Sequence, residues 1–288
     1  MAFLFFATAL PMKKFLRIPK MLRSLHEVHA HRVRHALHND PRYADERSLI
    51  PFGNKVYSQS DEDGIIAEIF GRIGTTNKVF VEFGIGNGLE NNTLALIFQG
   101  WSGLWIEGSQ KHTRQIRKNL PKTLASGKLK LINDFITRDN IDSLISGAIS
   151  ESVIDLLSVD IDGNDFHVLE AVKCIDPRVL VTEYNAKFAP PIRFCLKYNE
   201  SHMWTGNDCY GVSLKFLEVE LRKKGYSLVA CSLTGNNAFF VKEELAADKF
   251  LTPFTAENHY EPPRFFLASI TAGHRASYET VENIWPNS

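Results

Sequence analysis

The sequence predicts an α/β fold: a Rossmann-like, doubly wound, mostly parallel seven-stranded sheet with an antiparallel last strand. Three observations lead there. Short runs of β-formers alternate with amphipathic helical segments over about 160 residues. The first such run, Lys78–Phe83, ends in a glutamate and breaks into alternating glycines. Two closing runs, Tyr226–Ser232 and Ala238–Val241, are joined by "LTGNN", a hairpin signal that turns the last strand against its neighbour.

The elements follow in chain order. "SQSDEDGIIAEIFGRIG" reads as a cap and an amphipathic helix with Ile65, Ile66, Ile69 and Phe70 on one face. Strand Lys78–Phe83 precedes a helix over Asn92–Gln99, for which Asn91 or Asn92 is a suitable N-cap. Strand Gly103–Glu107 leads into helix Gln110–Asn119, and strand Leu129–Asp134 into helix Ile141–Ile149. Strand Asp155–Asp160 is followed by helix Phe166–Val172, then by strand Val179–Tyr184. Residues 186–212 form a long irregular insert, and helix Ser213–Lys223 leads to the hairpin.

The chain divides into a basic, histidine-rich and partly helical extension (1–50), a central domain (51–248) and a C-terminal extension (249–288) rich in proline and without periodicity. With 44% hydrophobic and 23% charged residues, the 288-residue chain can bury a full-sized core. Its formal net charge of +0 gives no global field for nucleic acid, and none is expected as a partner. The four cysteines are scattered without a CxxC pair, as for free thiols in a reducing, cytoplasmic setting. "MAFLFFATALPM" is shorter than the roughly 20 apolar residues a span needs, and it lacks the charged start of a secretory signal. Met12 stands as an alternative start. Otherwise, the apolar tip and the basic "KKFLRIPKMLRSL" would give weak contact with an anionic membrane surface, a peripheral location. His31, His35 and His38 have helical spacing. Without a nearby carboxylate or cysteine they read as a solvated face rather than a metal set.

The chemistry concentrates at strand ends. A strand buried on both faces makes Glu82 costly unless something pairs with it, and in open α/β sheets ligands bind beyond the carboxyl ends of the strands. Gly84, Gly86 and Gly88 then let a ligand lie against bare backbone. The dinucleotide fingerprint G-x-G-x-x-G is incomplete, because Leu89 stands at its sixth position. Glu107 ends the second strand, where a carboxylate can accept both hydroxyls of a ribose. Asn133 and Asp134 follow the third strand, either as ligand contacts or as a plain turn.

Strand, Glu82 and "GIGNG" resemble the first motif of class I S-adenosylmethionine-dependent methyltransferases. "YSQSDEDGII", "VEFGIGNGLENNTLAL", "GWSGLWIEGS" and "VDIDGNDFHVLEAV" resemble the FkbM-like subfamily, over roughly Tyr57 to Phe240. The resemblance implies the class I methyltransferase fold and S-adenosyl-L-methionine as cofactor. Its cofactor set would be Gln59, Glu82, Gly84, Gly86, Asn87, Gly88, Glu107, Gly108, Asn133, Asp134 and Asp160. It also implies methyl transfer to oxygen, on a sugar, glycan or natural product. One departure is "VDIDGND", where the common form is D-x-E-G, so Asp162 replaces a longer acid.

For proton removal the candidates are Asp160, Asp162 and His167, with the bland alternatives of helix capping and helix packing. By analogy with magnesium-dependent O-methyltransferases, Asp160, Glu183 and Asn185 would hold Mg2+. In the insert, His202, Trp204 and Tyr210 suit a small-molecule or glycan acceptor, unless the loop covers the core or pairs two copies in a homo-oligomer. Two rival readings stay open: a nicotinamide-dependent oxidoreductase, disfavoured by Glu82, by Leu89 and by the lack of a Tyr-x-x-x-Lys pair, and a non-catalytic binding protein on the same fold.

Overall fold

β-Branched and aromatic side chains in short runs need cover on both faces, and the strands have it. They are β1 (Val79–Phe83), β2 (Ser102–Ile106), β3 (Leu129–Ile132), β4 (Val153–Val159), β5 (Asp176–Glu183), β6 (Tyr226–Cys231) and β7 (Asn237–Lys242). In the computed structural model, which describes residues 17–283, they form one sheet in the order β3-β2-β1-β4-β5-β7-β6. Strands β1 to β5 pair in parallel, while β7 is antiparallel to both β5 and β6. This is the fold class the sequence predicts. The helices are α1 (Arg17–His38), α2 (Glu62–Ile73), α3 (Leu94–Ile97), α4 (Gln110–Asn119), α5 (Pro121–Ala125), α6 (Ile141–Ser146), α7 (Asp165–Ala171), α8 (Leu214–Arg222), α9 (Glu243–Ala246), α10 (Ala256–His259) and α11 (Tyr278–Glu282).

Two cores sandwich the sheet. One joins Val81, Phe83 and Leu157 to Ile145, Phe166, Leu217 and Leu221 from α6, α7 and α8. The other joins Phe80, Trp105 and Phe239 to Ile65, Ile66 and Ile69 of α2 and to Ile116 of α4. Alternate residues of one strand enter opposite cores, as the strand period of two requires. The chain winds outward from β1 through β2 to β3, then restarts at β4 on β1's other side. The crevice at that reversal, beyond the ends of β1 and β4, is where such sheets hold ligands.

Several expected elements come out shorter. The helix expected over Asn92–Gln99 is only Leu94–Ile97, because Asn91, Asn92 and Thr93 are committed to Glu82. The helix expected to Ile149 ends at Ser146. The insert has no regular element beyond the Cys195–Val212 bridge. Helix α5, opened by Pro121, was not foreseen.

The N- and C-terminal segments pack on each other. Ala30 of α1 is fully buried with Leu267 and Ile270 of the 265–270 stretch, and Val33, Leu37 and Phe266 pack against them. Tyr43 Oη donates to the buried Glu261 carboxylate at 2.7 Å, and Arg264 Nη1 pairs with it at 2.7 Å. At the other end, Glu282 accepts from Lys122 N at 2.5 Å and Thr123 Oγ1 at 3.0 Å, closing the start of α5. The apolar start and Met12 lie outside the described residues.

Candidate active site

The end of β1 sets the glycine-rich loop. Glu82 sits between Trp105 of β2 and Ser158 of β4. Its Oε1 accepts from Asn92 N at 2.8 Å and Ser158 Oγ at 3.3 Å. Its Oε2 accepts from Asn91 Nδ2 at 2.8 Å, Thr93 N at 3.1 Å and Thr93 Oγ1 at 2.5 Å. Burial pushes Glu82 up to about 7, against the opposing pull of these donors. Glu82 was expected to face a ligand. Its carboxylate instead binds the far end of its own loop, because five protein donors already surround it.

Gly84 has φ +73°, and a Cβ there would fall 1.6 Å from Asp160 O, so only glycine lets the ends of β1 and β4 come this close. A Cβ at Gly86 would meet nothing within 4 Å, so this backbone is open to an incoming ligand. Gly88 faces inward, against Trp105 and Ile116, which makes it a packing position rather than a contact. Gly86 N donates to Glu107 Oε2 at 2.8 Å, and Ser109 N to Glu107 Oε1 at 2.7 Å. The carboxylate ending β2 is thereby fixed in a cleft of about 750 Å³. Gln59, Gly84, Gly86, Asn87, Glu107, Gly108, Asp160 and Asp162 of the expected residues line this cleft. Asn133 does not. Its Nδ2 donates to Glu107 O at 2.8 Å and clamps the turn after β2, and Asp134 also lies outside the cleft wall. Phe135 and Ile136 stand in the wall instead.

A second cavity of about 610 Å³ shares Gln59, Asp160, Asp162 and Trp204 with the first. Glu183, Asn185, Tyr210 and Phe265 are among its other walls. Trp204 and Tyr210 lie 5.6 Å apart between ring centroids. Lys187 pairs with Asp208 at the rim, and Asn236 Nδ2 donates to Gln59 Oε1 at 2.7 Å. Three amides, Val56 N, Tyr57 N and Ser58 N, converge on Asp63 Oδ2 and fix the turn that presents Gln59.

Acids crowd the floor between the cavities. Asp160, Asp165 and Glu183 each offer an oxygen, all within 4.8 Å of one another. Burial holds Asp160 and Glu183 well above the usual carboxylate range, and the neighbouring acids push them further. Burial also raises Asp162, while His202 pulls it down. Asp165 is raised by burial despite accepting from Ile161 N and Gly163 N, both at 2.8 Å. Glu183 Oε2 is buried without a hydrogen-bond partner.

Asn185 stands in the wall of the second cavity with Asp160 and Glu183. Its Nδ2 donates to Asp208 O at 3.0 Å and Tyr210 O at 3.1 Å, and its Oδ1 accepts from Lys187 N at 3.2 Å. Asp165 adds a third carboxylate beside Asp160 and Glu183. One expectation for this region needs correction. His167 is turned away, with Nε2 2.6 Å from Leu196 O and its ring against Tyr198. His202 does border the first cleft. Its ring lies against Gly163, where a Cβ would be 2.4 Å from Cδ2, and its Nε2 is buried without a partner. Phe265 could not be foreseen as a wall residue, since nothing in its aperiodic segment marks it. Asp165 is legible in "DIDGND" as a third acid beside Asp160 and Asp162.

No protein-family model matches the chain, and no curated protein matches it. Among solved structures the chain is similar to a candidate O-methyltransferase from Klebsiella pneumoniae, at 15% identity, covering 76% of this chain and 97% of that one, with TM-score 0.45. It is similar to a candidate caffeoyl-CoA O-methyltransferase from Staphylococcus aureus, at 12% identity, covering 62% and 81%, with TM-score 0.42. The glycopeptide N-methyltransferase MtfA, complexed with sinefungin, is similar at 13% identity, covering 63% and 85%, with TM-score 0.40. At such identities the likeness bears on nothing beyond the fold.

Proposed function

We propose that the protein is an S-adenosylmethionine-dependent methyltransferase acting on oxygen. The observation that supports this best is Glu107, fixed by two backbone amides at the end of β2 and facing a cleft floored by the open Gly86. A carboxylate held so is ready to accept two vicinal hydroxyls of a ribose. The Gly84–Gly88 loop would pass the methionyl part, and Phe135 and Ile136 would flank the base. When bound, the cofactor supplies an electrophilic methyl group on a sulfonium.

The chain's own residues align the acceptor and take its proton. Asp160 and Asp162 stand in the walls of both cavities, so a hydroxyl in the second cavity would meet them beside the first. Burial raises the proton affinity of both, which makes either a stronger general base than an exposed carboxylate. Trp204 and Tyr210, with Asn207 and Asn236 among them, give the second cavity the stacking and hydrogen-bonding surface of a sugar, glycan or natural-product site. Asp160, Asp165 and Glu183 fit a hard divalent cation such as Mg2+, which would neutralise their charge and lower the pKa of a hydroxyl.

Calorimetric titration with S-adenosylmethionine, S-adenosylhomocysteine and NAD, each with and without Mg2+, tests the reading. Micromolar binding of both adenosyl ligands, lost in Glu107→Ala and absent for NAD, is the expected result. Binding of NAD alone would replace the reading with an oxidoreductase, and binding of none would leave a non-catalytic fold.

A further inference from the structure

We propose that α1 docks the protein in the plane of an anionic membrane surface. The two halves of this helix behave differently. Its C-terminal half is anchored through Ala30, Val33 and Leu37 on the 265–270 segment. Its N-terminal half exposes Met21 (66%), Leu22 (60%), Leu25 (56%) and Val28 (51%). Positions 21, 25 and 28 recur at helical spacing, with 22 beside them, so these side chains form one stripe. Such a stripe needs cover, since exposed apolar patches mark contact surfaces.

Charge says what covers it. Residues 13–34 hold seven Lys and Arg against one acid, Glu27. The whole chain balances at 33 basic and 33 acidic side chains, so residues 40–288 are net negative by six. All the excess positive charge therefore falls, along the sequence, in the segment that carries the stripe. Basic residues flanking an apolar helical stripe are the composition of an interfacial helix, whose cations meet lipid phosphates and carboxylates while the apolar side chains enter the acyl boundary. A self-association face would gain nothing from so much like charge brought together. Among the described residues no helix is long and apolar enough to cross a membrane.

The anchor of α1 is also a wall of the second cavity, through Phe265 and Ala268. If that cavity takes the acceptor, as proposed above, the protein meets its acceptor at the membrane.

The experiment is flotation of the full chain with phosphatidylcholine vesicles, alone or containing about a third phosphatidylglycerol. At low salt the anionic vesicles should bind at least roughly tenfold better, and about 0.5 M salt should erase the difference. The double variant Leu22→Ser/Leu25→Ser should bind anionic vesicles at least roughly tenfold less. Its Tm and its S-adenosylhomocysteine titration should not change, which separates docking from the cofactor reading. Equal binding to both vesicles, no binding, or binding untouched by the double variant would overturn the proposal. So would light scattering that finds a dimer which the same variant dissolves, because a second copy would then cover the stripe.

Discussion

Replacing Glu82 by glutamine keeps the size of the side chain and removes one acceptor oxygen from a buried site that has five donors. If the new NH2 takes the Oε1 position, Ser158 can rotate its hydroxyl to accept, but Asn92 N–H cannot turn away. If it takes the Oε2 position, Thr93 N and Asn91 Nδ2 both lose their acceptor. The better choice therefore orphans one buried backbone donor, at roughly 1–3 kcal/mol. Removing the buried charge takes charge assistance from the remaining bonds but relieves the desolvation that holds Glu82 at about 7, so the total expected stays at roughly 1–3 kcal/mol. Glu82→Ala orphans the whole set and should cost on the order of 4 kcal/mol or more. Urea unfolding with a shared m-value measures both variants. Because the donors belong to the segment that closes the Gly84–Gly88 loop, S-adenosylhomocysteine affinity should fall about tenfold in the folded glutamine variant. A loss below about 0.5 kcal/mol in Glu82→Ala would show that the network does not hold the loop.

Three further outcomes follow from the same geometry. Burial raises Asp61 and Glu82 to about 7 and holds Asp160 and Glu183 well above the carboxylate range. Their stabilising protonation is complete below the unfolded values of about 4 to 4.5 and is lost as pH rises through the folded ones, so the urea midpoint should drop between about pH 5 and pH 8. Mg2+ should restore part of it at the higher pH, and a midpoint flat with pH refutes the burial account. Asp155 accepts from Thr76 N, Asn77 N and Lys78 N and pairs with Arg178 at 2.6 Å, at the end of the sheet opposite the cleft. Asp155→Asn should cost about 3–5 kcal/mol by urea unfolding and leave S-adenosylhomocysteine affinity unchanged. Gly163→Ala would drive a Cβ into the His202 ring, so calorimetry should find S-adenosylhomocysteine binding weakened at least roughly fivefold, with a Tm loss of only a few degrees.

Much of this arrangement was legible in the sequence, because strand ends are legible. Periodicity located the ends of β1, β2, β4 and β5, and the doubly wound rule turned those ends into one crevice holding Gly86, Glu107 and Asp160. The direction of a side chain at a strand end is a different matter. Glu82 turned inward because Asn91, Asn92 and Thr93 fold back over it, and nothing in a strand's period says so. Asp165 and His167 are two residues apart on one helix, about 200° around its axis. One faces the floor and the other the insert. Phe265 reaches the second cavity from a segment that follows the last strand, a contact only the tertiary fold creates.

The C-terminal helix α11 has a bearing on handling. Tyr278 Oη donates to the carbonyl of Asn87 at 2.7 Å, and Val281 is fully buried beside α4 and the sheet. The tail is therefore a latch on the glycine-rich loop. Trimming it, letting a protease nibble it or fusing a bulky tag too near it would loosen the loop from outside. A preparation damaged in this way would look like a dead enzyme with every active-site residue intact.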